Sequence, residues 1–62
     1  MMHRFKVFYQ LGLAGIGGSY YEDVEAISPR KAMKQIIDAH NHVNIVSVLD
    51  ADGNLLWKGK RL

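Results

Sequence analysis

The sequence contains no cysteine, so neither a disulfide nor a thiolate-bound metal holds this chain together. That lack also fits a reducing compartment. Proline occurs once, which leaves long stretches free of the strongest breaker of helices and strands. A large excess of charge of one sign is missing as well. Eight basic residues face six acidic ones for a net charge of +2, which permits an acidic partner or nucleic acid but demands neither. There is no long apolar run: the stretch Leu11–Gly18 is eight residues, against roughly 20 needed to span a bilayer. Arg4 and Lys6 precede that run somewhat as in a secretory leader. Lys6 and Gln10 interrupt the apolar stretch, however, and cleavage there would remove a strand that the fold needs. The expectation is a cytoplasmic protein without membrane contact.

What is present is a globular composition, 48% hydrophobic and 23% charged, with no repeat, linker or low-complexity tail. Sixty-two residues make one domain, residues 1–62, that buries only about 60% of its unfolded surface. With disulfides excluded, its support must come from regular packing or from oligomerisation.

His3–Leu11 alternates, with Phe5, Val7, Tyr9 and Leu11 on one side and Arg4, Lys6, Phe8 and Gln10 on the other, the pattern of a strand. Glycines at 12, 15, 17 and 18 make the next segment a loop. A second strand runs from Ser19 to Ile27. An antiparallel register with Phe8 opposite Tyr21 also sets Lys6 opposite Asp23 and Arg4 opposite Glu25, each pair contributing about 0.2–1 kcal/mol. Ser28 caps a helix that starts at Pro29, where a missing N–H costs nothing, and runs to about His40, with Asn41 as its stop. Ala32, Met33, Ile36, Ile37 and His40 gather on its inner side. Val43–Leu49 is a third strand, Asp50–Asn54 a turn with Gly53 in the left-handed position, and Leu55 to about Lys60 a fourth strand. The fold class is α+β: ββαββ, an antiparallel four-stranded sheet with one helix packed on one face.

One helix covers one face of such a sheet. The covered face takes Phe5, Val7, Tyr9, Val24, Ala26, Val46, Val48 and Leu56. The other face should be polar. It is so in the first hairpin, but the second turns Ile45, Leu49, Leu55 and Trp57 outward. Together with Phe8 and Tyr21 these form an apolar patch of the kind that marks an interface. The parity of the second hairpin can also be reversed, with Trp57 in the core and Leu56 outside.

The chemistry-bearing patterns are weak. Gly12–Gly18 is followed by a strand rather than a helix and lacks the lysine and Ser/Thr of a phosphate loop. Its Gly12–Gly15 spacing is that of the KH-domain clamp, which sits between helices. The segment reads first as a flexible hairpin loop; the remaining reading is a docking loop with Leu13 and Ile16 as exposed apolar tips. His3, His40 and His42 lack the further ligands of a zinc site. Glu22, Asp23 and Glu25 read as solvated charge rather than acid–base machinery. No catalytic residue, metal or cofactor is expected. Lys58, Lys60 and Arg61 form a basic cluster able to meet phosphates, with Phe8, Tyr21 and Trp57 available to stack on bases.

The stretch Tyr21–Ile36, YEDVEAISPRKAMKQI, resembles a pattern common in small uncharacterised phage and plasmid proteins. They share a strand ending in Val-x-Ala, a cap, and a helix with Ala and Ile on its inner face. The resemblance covers about a quarter of the chain and implies a mobile-element setting; it carries over no functional residue. The sequence therefore predicts a non-enzymatic interaction module, pairing with itself as a homodimer or with another protein through Phe8, Tyr21, Leu49, Leu55 and Trp57 or the strand edges. Nucleic-acid binding through Lys58, Lys60 and Arg61 is the alternative.

Overall fold

A computed structural model of the chain describes residues 1–12, 18–40 and 42–59. The elements follow in the order β1 (His3–Leu11), β2 (Ser19–Ala26), α1 (Pro29–Ala39), β3 (Val43–Asp50) and β4 (Leu55–Lys58). All four strands join one antiparallel sheet in the order β2-β1-β3-β4. The ββαββ arrangement expected from the alternation and the cap is the one observed. The tip residues Leu13 and Ile16, and the basic residues Lys60 and Arg61, lie outside the described residues.

The first hairpin has the register its charges favour: Phe8 opposite Tyr21, Lys6 opposite Asp23 and Arg4 opposite Glu25. Its two strands close where the Leu11 N–H donates to the Gly18 carbonyl at 3.0 Å. Gly12 and Gly18, at φ +83° and +99°, take the left-handed backbone that a side chain would disfavour. Ser28 caps α1, its Oγ accepting from the Lys31 N–H at 3.2 Å and its carbonyl from the Ala32 N–H at 3.1 Å. The helix ends one residue sooner than expected, with His40 as the extended C-cap.

Asp50 organises the second turn. Its Oδ1 accepts from the Asp52 and Asn54 N–H groups at 2.9 and 2.8 Å, and its Oδ2 from the Asn54 amide at 3.0 Å. These donors hold the Asp50 carboxyl below its ordinary range, the Asn54 N–H contributing most. Gly53, at φ +88°, supplies the left-handed residue.

The core holds Phe5, Val7, Tyr9, Val24, Ala26, Ala32, Ile36, Ile45 and Val48. Two residues of β3 correct the sequence reading of the second hairpin. Ile45, expected outside, is buried, and Val46, expected inside, is only half-buried. The cause is a bulge in β3: Phe8 faces Ser47 and Tyr9 faces Ile45, so Val46 has no counterpart in β1. An extra residue reverses every side chain beyond it, which puts Ile45 and Val48 on the same face although they are three apart.

A second bulge lies in β4. Val48 faces Trp57 and Leu49 faces Leu55, leaving Leu56 without a counterpart. Leu56, expected in the core, is 45% exposed. Ile37, expected on the buried side of α1, is also exposed, because the helix seats Ala32 and Ile36 centrally and leaves Ile37 on its flank. The helix packs across β2, β1 and β3, and β4 lies beyond its main footprint.

Candidate functional site

The open face of the sheet gathers four of the five residues named for protein interaction. Residues directly opposite each other across a sheet share a face. Tyr21, Phe8, Ser47 and Lys58 therefore form one rung on the side away from α1, and Asp23, Lys6, Leu49 and Leu55 the next. The Phe8 and Tyr21 rings meet at 5.5 Å between centroids, and the Lys6 ammonium sits 4.9 Å from the Tyr21 centroid. Arg4 reaches Glu25 at 3.5 Å with both side chains largely exposed, so the pair adds little to stability.

Along this face polar and apolar side chains alternate: Lys6 follows Phe8 on β1 and Ser47 precedes Leu49 on β3. A depression of about 270 Å³ lies between the charged row and the Asp50 turn, lined by Arg4, Lys6, Asp23, Leu49 and Asp50. It is smaller than the roughly 300–1,000 Å³ of ordinary small-molecule sites and has a mostly charged lining.

Trp57, the fifth residue, is elsewhere. Facing the fully buried Val48, it lies on the helix side of the sheet, not beside Phe8 and Tyr21. This is the reversed parity the sequence left open, although Trp57 stays 38% exposed because the helix does not extend over β4. Its indole lies along Gly59. A Cβ placed on Gly59 would come within 3.0 Å of the indole Cη2 and 2.5 Å of the Ile45 carbonyl oxygen. The Gly59 N–H meanwhile donates to the Val46 carbonyl at 2.8 Å. Gly59 thus lets the backbone just after β4 press against the β3 bulge beneath Trp57, a role that no local pattern announces.

Leu55, Leu56 and Trp57 are exposed in succession on β4. Among the described residues no strand pairs with the outer edge of β4 or of β2. The Gln35 amide donates to the Glu25 carbonyl at 2.9 Å, which turns that flank of α1 toward β2. The opposite flank, nearer β3, carries Met33 and the exposed Ile37. The helix side of the β3–β4 half is therefore apolar and only partly covered.

A polar cluster that the sequence reading missed closes the other end of the core. Glu22 faces Val7 and Tyr20 faces Tyr9, so both lie on the helix side of β2. Extending the Val24/Ala26 alternation two steps back would have placed Glu22 there. The Tyr9 hydroxyl donates to Glu22 Oε2 at 2.6 Å, and His40 Nε2 approaches the same oxygen at 3.2 Å. The Tyr9 ring stacks on Tyr20 at 6.0 Å and tilts against His40 at 5.2 Å.

Bonding to the Glu22 carboxylate, with burial second, pushes the Tyr9 phenol up to about 12. The same bond, then the one from His40, lowers Glu22. Both shifts lead away from neutrality, whereas a general acid or base works best with a pKa near the operating pH. The cluster is suited to clasping the end of α1 to β2 rather than to proton transfer. His3 lies opposite Ala26 and against Phe5, at the other end of β1 from His40 and Tyr9. Among the described residues no helix is long and apolar enough to cross a membrane.

Comparison with known proteins gives no match to a family model, to a curated protein or to a solved structure.

Proposed function

We propose that this chain is a small non-enzymatic interaction module that docks on protein through its edge strand β4. The observation that carries this reading is the succession Leu55, Leu56 and Trp57, three large apolar side chains exposed on an edge with which no described strand pairs. An exposed strand edge offers a row of free N–H and C=O groups, and an added strand satisfies them while its side chains find apolar neighbours. The acidic edge β2 is guarded by contrast. A cytoplasmic setting in a phage or other mobile element accords with the cysteine-free composition and with the resemblance of Tyr21–Ile36.

The test separates docking side chains from structural ones. Leu55→Ser with Leu56→Gln should change unfolding free energy by less than about 0.5 kcal/mol, as surface substitutions do. A loss of about 2 kcal/mol or more would make them core residues and end the reading.

One observation favours a second reading, a module that binds single-stranded nucleic acid across the open face. Lys58 shares a rung with Phe8 and Tyr21, so a cation and two stackable rings face the same way. Lys60 and Arg61 would extend the basic character. Binding of this kind must weaken steeply with salt, and no retention on single-stranded DNA or RNA at low salt would eliminate it.

A further inference from the structure

We infer that the occupant of the β4 edge is a second copy of this chain, joined antiparallel about a twofold axis that passes between the two Trp57 residues. The inference rests on the docking reading above and names its partner.

The two free edges differ in what they allow. Along β2, Glu22, Asp23 and Glu25 are the only ionisable side chains of opposite or like sign that a β2–β2 pair would bring together, apart from its tyrosines. Antiparallel pairing about the middle of that strand sets Asp23, whose phase points outward, opposite the second copy's Asp23, and like charges directly opposite are destabilising. On β4 the sole charge is Lys58, beside three apolar residues.

The hydrogen-bond pattern then fixes the register on β4. The Gly59 N–H points inward to the Val46 carbonyl, and Trp57, two residues back, faces Val48 in the same phase. Alternation turns the N–H and C=O groups of Lys58 outward, and those of the bulged Leu56 have no counterpart in β3 to bond. In an antiparallel pair outward groups must meet outward groups. Lys58 therefore faces either the second copy's Lys58 or its Leu56. The first choice opposes two ammonium groups, and the second opposes none. It also places the two Trp57 residues directly across from each other, as a non-hydrogen-bonded pair with Cα atoms about 4.5 Å apart. A twofold axis normal to the sheet keeps both indoles on the helix side, where β4 lies beyond the main footprint of α1. The result is a continuous eight-stranded sheet with a pair of indoles between two helices. Cross-strand aromatic pairs are among the favourable ones.

A strand as short as Leu55–Lys58 buries little area, which places this dimer in the weak, concentration-dependent class. Sedimentation of the intact chain from about 10 µM to about 1 mM should show the mass rising from one chain toward two. The emission of Trp57, the single tryptophan, should shift to the blue in parallel. Lys58→Pro removes an N–H that the monomer's own sheet does not use, so it should stay folded and remain monomeric throughout. Because the chain has no cysteine, Trp57→Cys gives an unambiguous cross-link. It should oxidise to a covalent dimer on the order of tenfold faster than Tyr21→Cys on the other edge strand.

A mass that stays at one chain at every concentration overturns the inference. Growth beyond two chains, which a β2-to-β4 head-to-tail contact would produce, overturns it too, as does equal cross-linking at positions 57 and 21. Should the chain remain monomeric while Leu55→Ser with Leu56→Gln leaves it fully stable, only the identity of the occupant fails. Should those substitutions unfold the chain, the docking reading itself fails.

Discussion

The two edge strands of this sheet are built by different rules. β2 is eight residues long, pairs with β1 in an unbroken register, and carries three carboxylates among its residues. β4 is four residues long, is bulged at Leu56, and exposes Leu55, Leu56 and Trp57. A long edge strand is an aggregation hazard unless charge protects it, and β2 has that protection. β4 is short, which limits the hazard, and its apolar side chains remain available. The helix follows the same division: it covers the strands from β2 to β3 and leaves β4 beyond its main footprint. Protection and exposure are thus distributed by edge, not by face.

The largest expected effects test the bulge that makes the β3–β4 half different from the first hairpin. Ile45→Ala should cost about 3 kcal/mol, as for other buried aliphatic truncations, and Val46→Ala less than about 1 kcal/mol. Denaturant unfolding measures both, and the reverse ranking would show that β3 runs without the bulge. Gly59→Ala comes next. Its Cβ would press on the Ile45 carbonyl and the Trp57 ring, so a loss of about 1–3 kcal/mol is expected, with a changed Trp57 emission. An unchanged emission spectrum would separate Gly59 from the Trp57 position.

The clasp between β2 and α1 is weaker. Tyr9→Phe should cost about 1 kcal/mol, since the bond goes to a charged but half-exposed carboxylate. Its pH signature has two limbs. Tyr9 is raised in the fold from 10.0 to about 12, so its contribution is fully present below pH 10 and is lost as pH rises through 12. Glu22 and Asp50 are lowered, so theirs are present above the usual carboxylate range and are lost as pH falls through their folded values. Phenolate absorbance should show a late step near pH 12 that Tyr9→Phe removes; persistence of that step would place it on another tyrosine. The smallest effect is expected for Leu55→Ser with Leu56→Gln, within about 0.5 kcal/mol.

Much of the fold is legible because local chemistry dictates it. The alternation of His3–Leu11, the Ser28-Pro29 cap and the Asp50–Gly53 turn each follow from residue type at fixed spacing. The register of the first hairpin is legible too, since Phe8 with Tyr21 and two opposite-charge pairs align together. The second hairpin is not. Val46 and Leu56 are bulged residues, and a bulge adds one residue without changing composition or apolar content. Counting by twos beyond such a residue sends Ile45, Val46, Leu56 and Trp57 to the wrong faces. Strand order depends on contacts between distant segments, and no short motif encodes it. The Tyr9–Glu22–His40 cluster was hidden because an acidic residue on β2 reads as solvated until its parity is traced from Val24. Gly59 was hidden because its need for space comes from Ile45 and Trp57, not from its own backbone angles.

Docking of a second copy on β4, and not on β2 or the open face, is read out by amide and indole NMR shifts on raising the concentration of the intact chain. The account predicts changes confined to Leu55–Gly59 and strongest at the Lys58 amide and the Trp57 indole. Changes centred on Phe8 and Tyr21, changes along Ser19–Ala26, or none at all would contradict it.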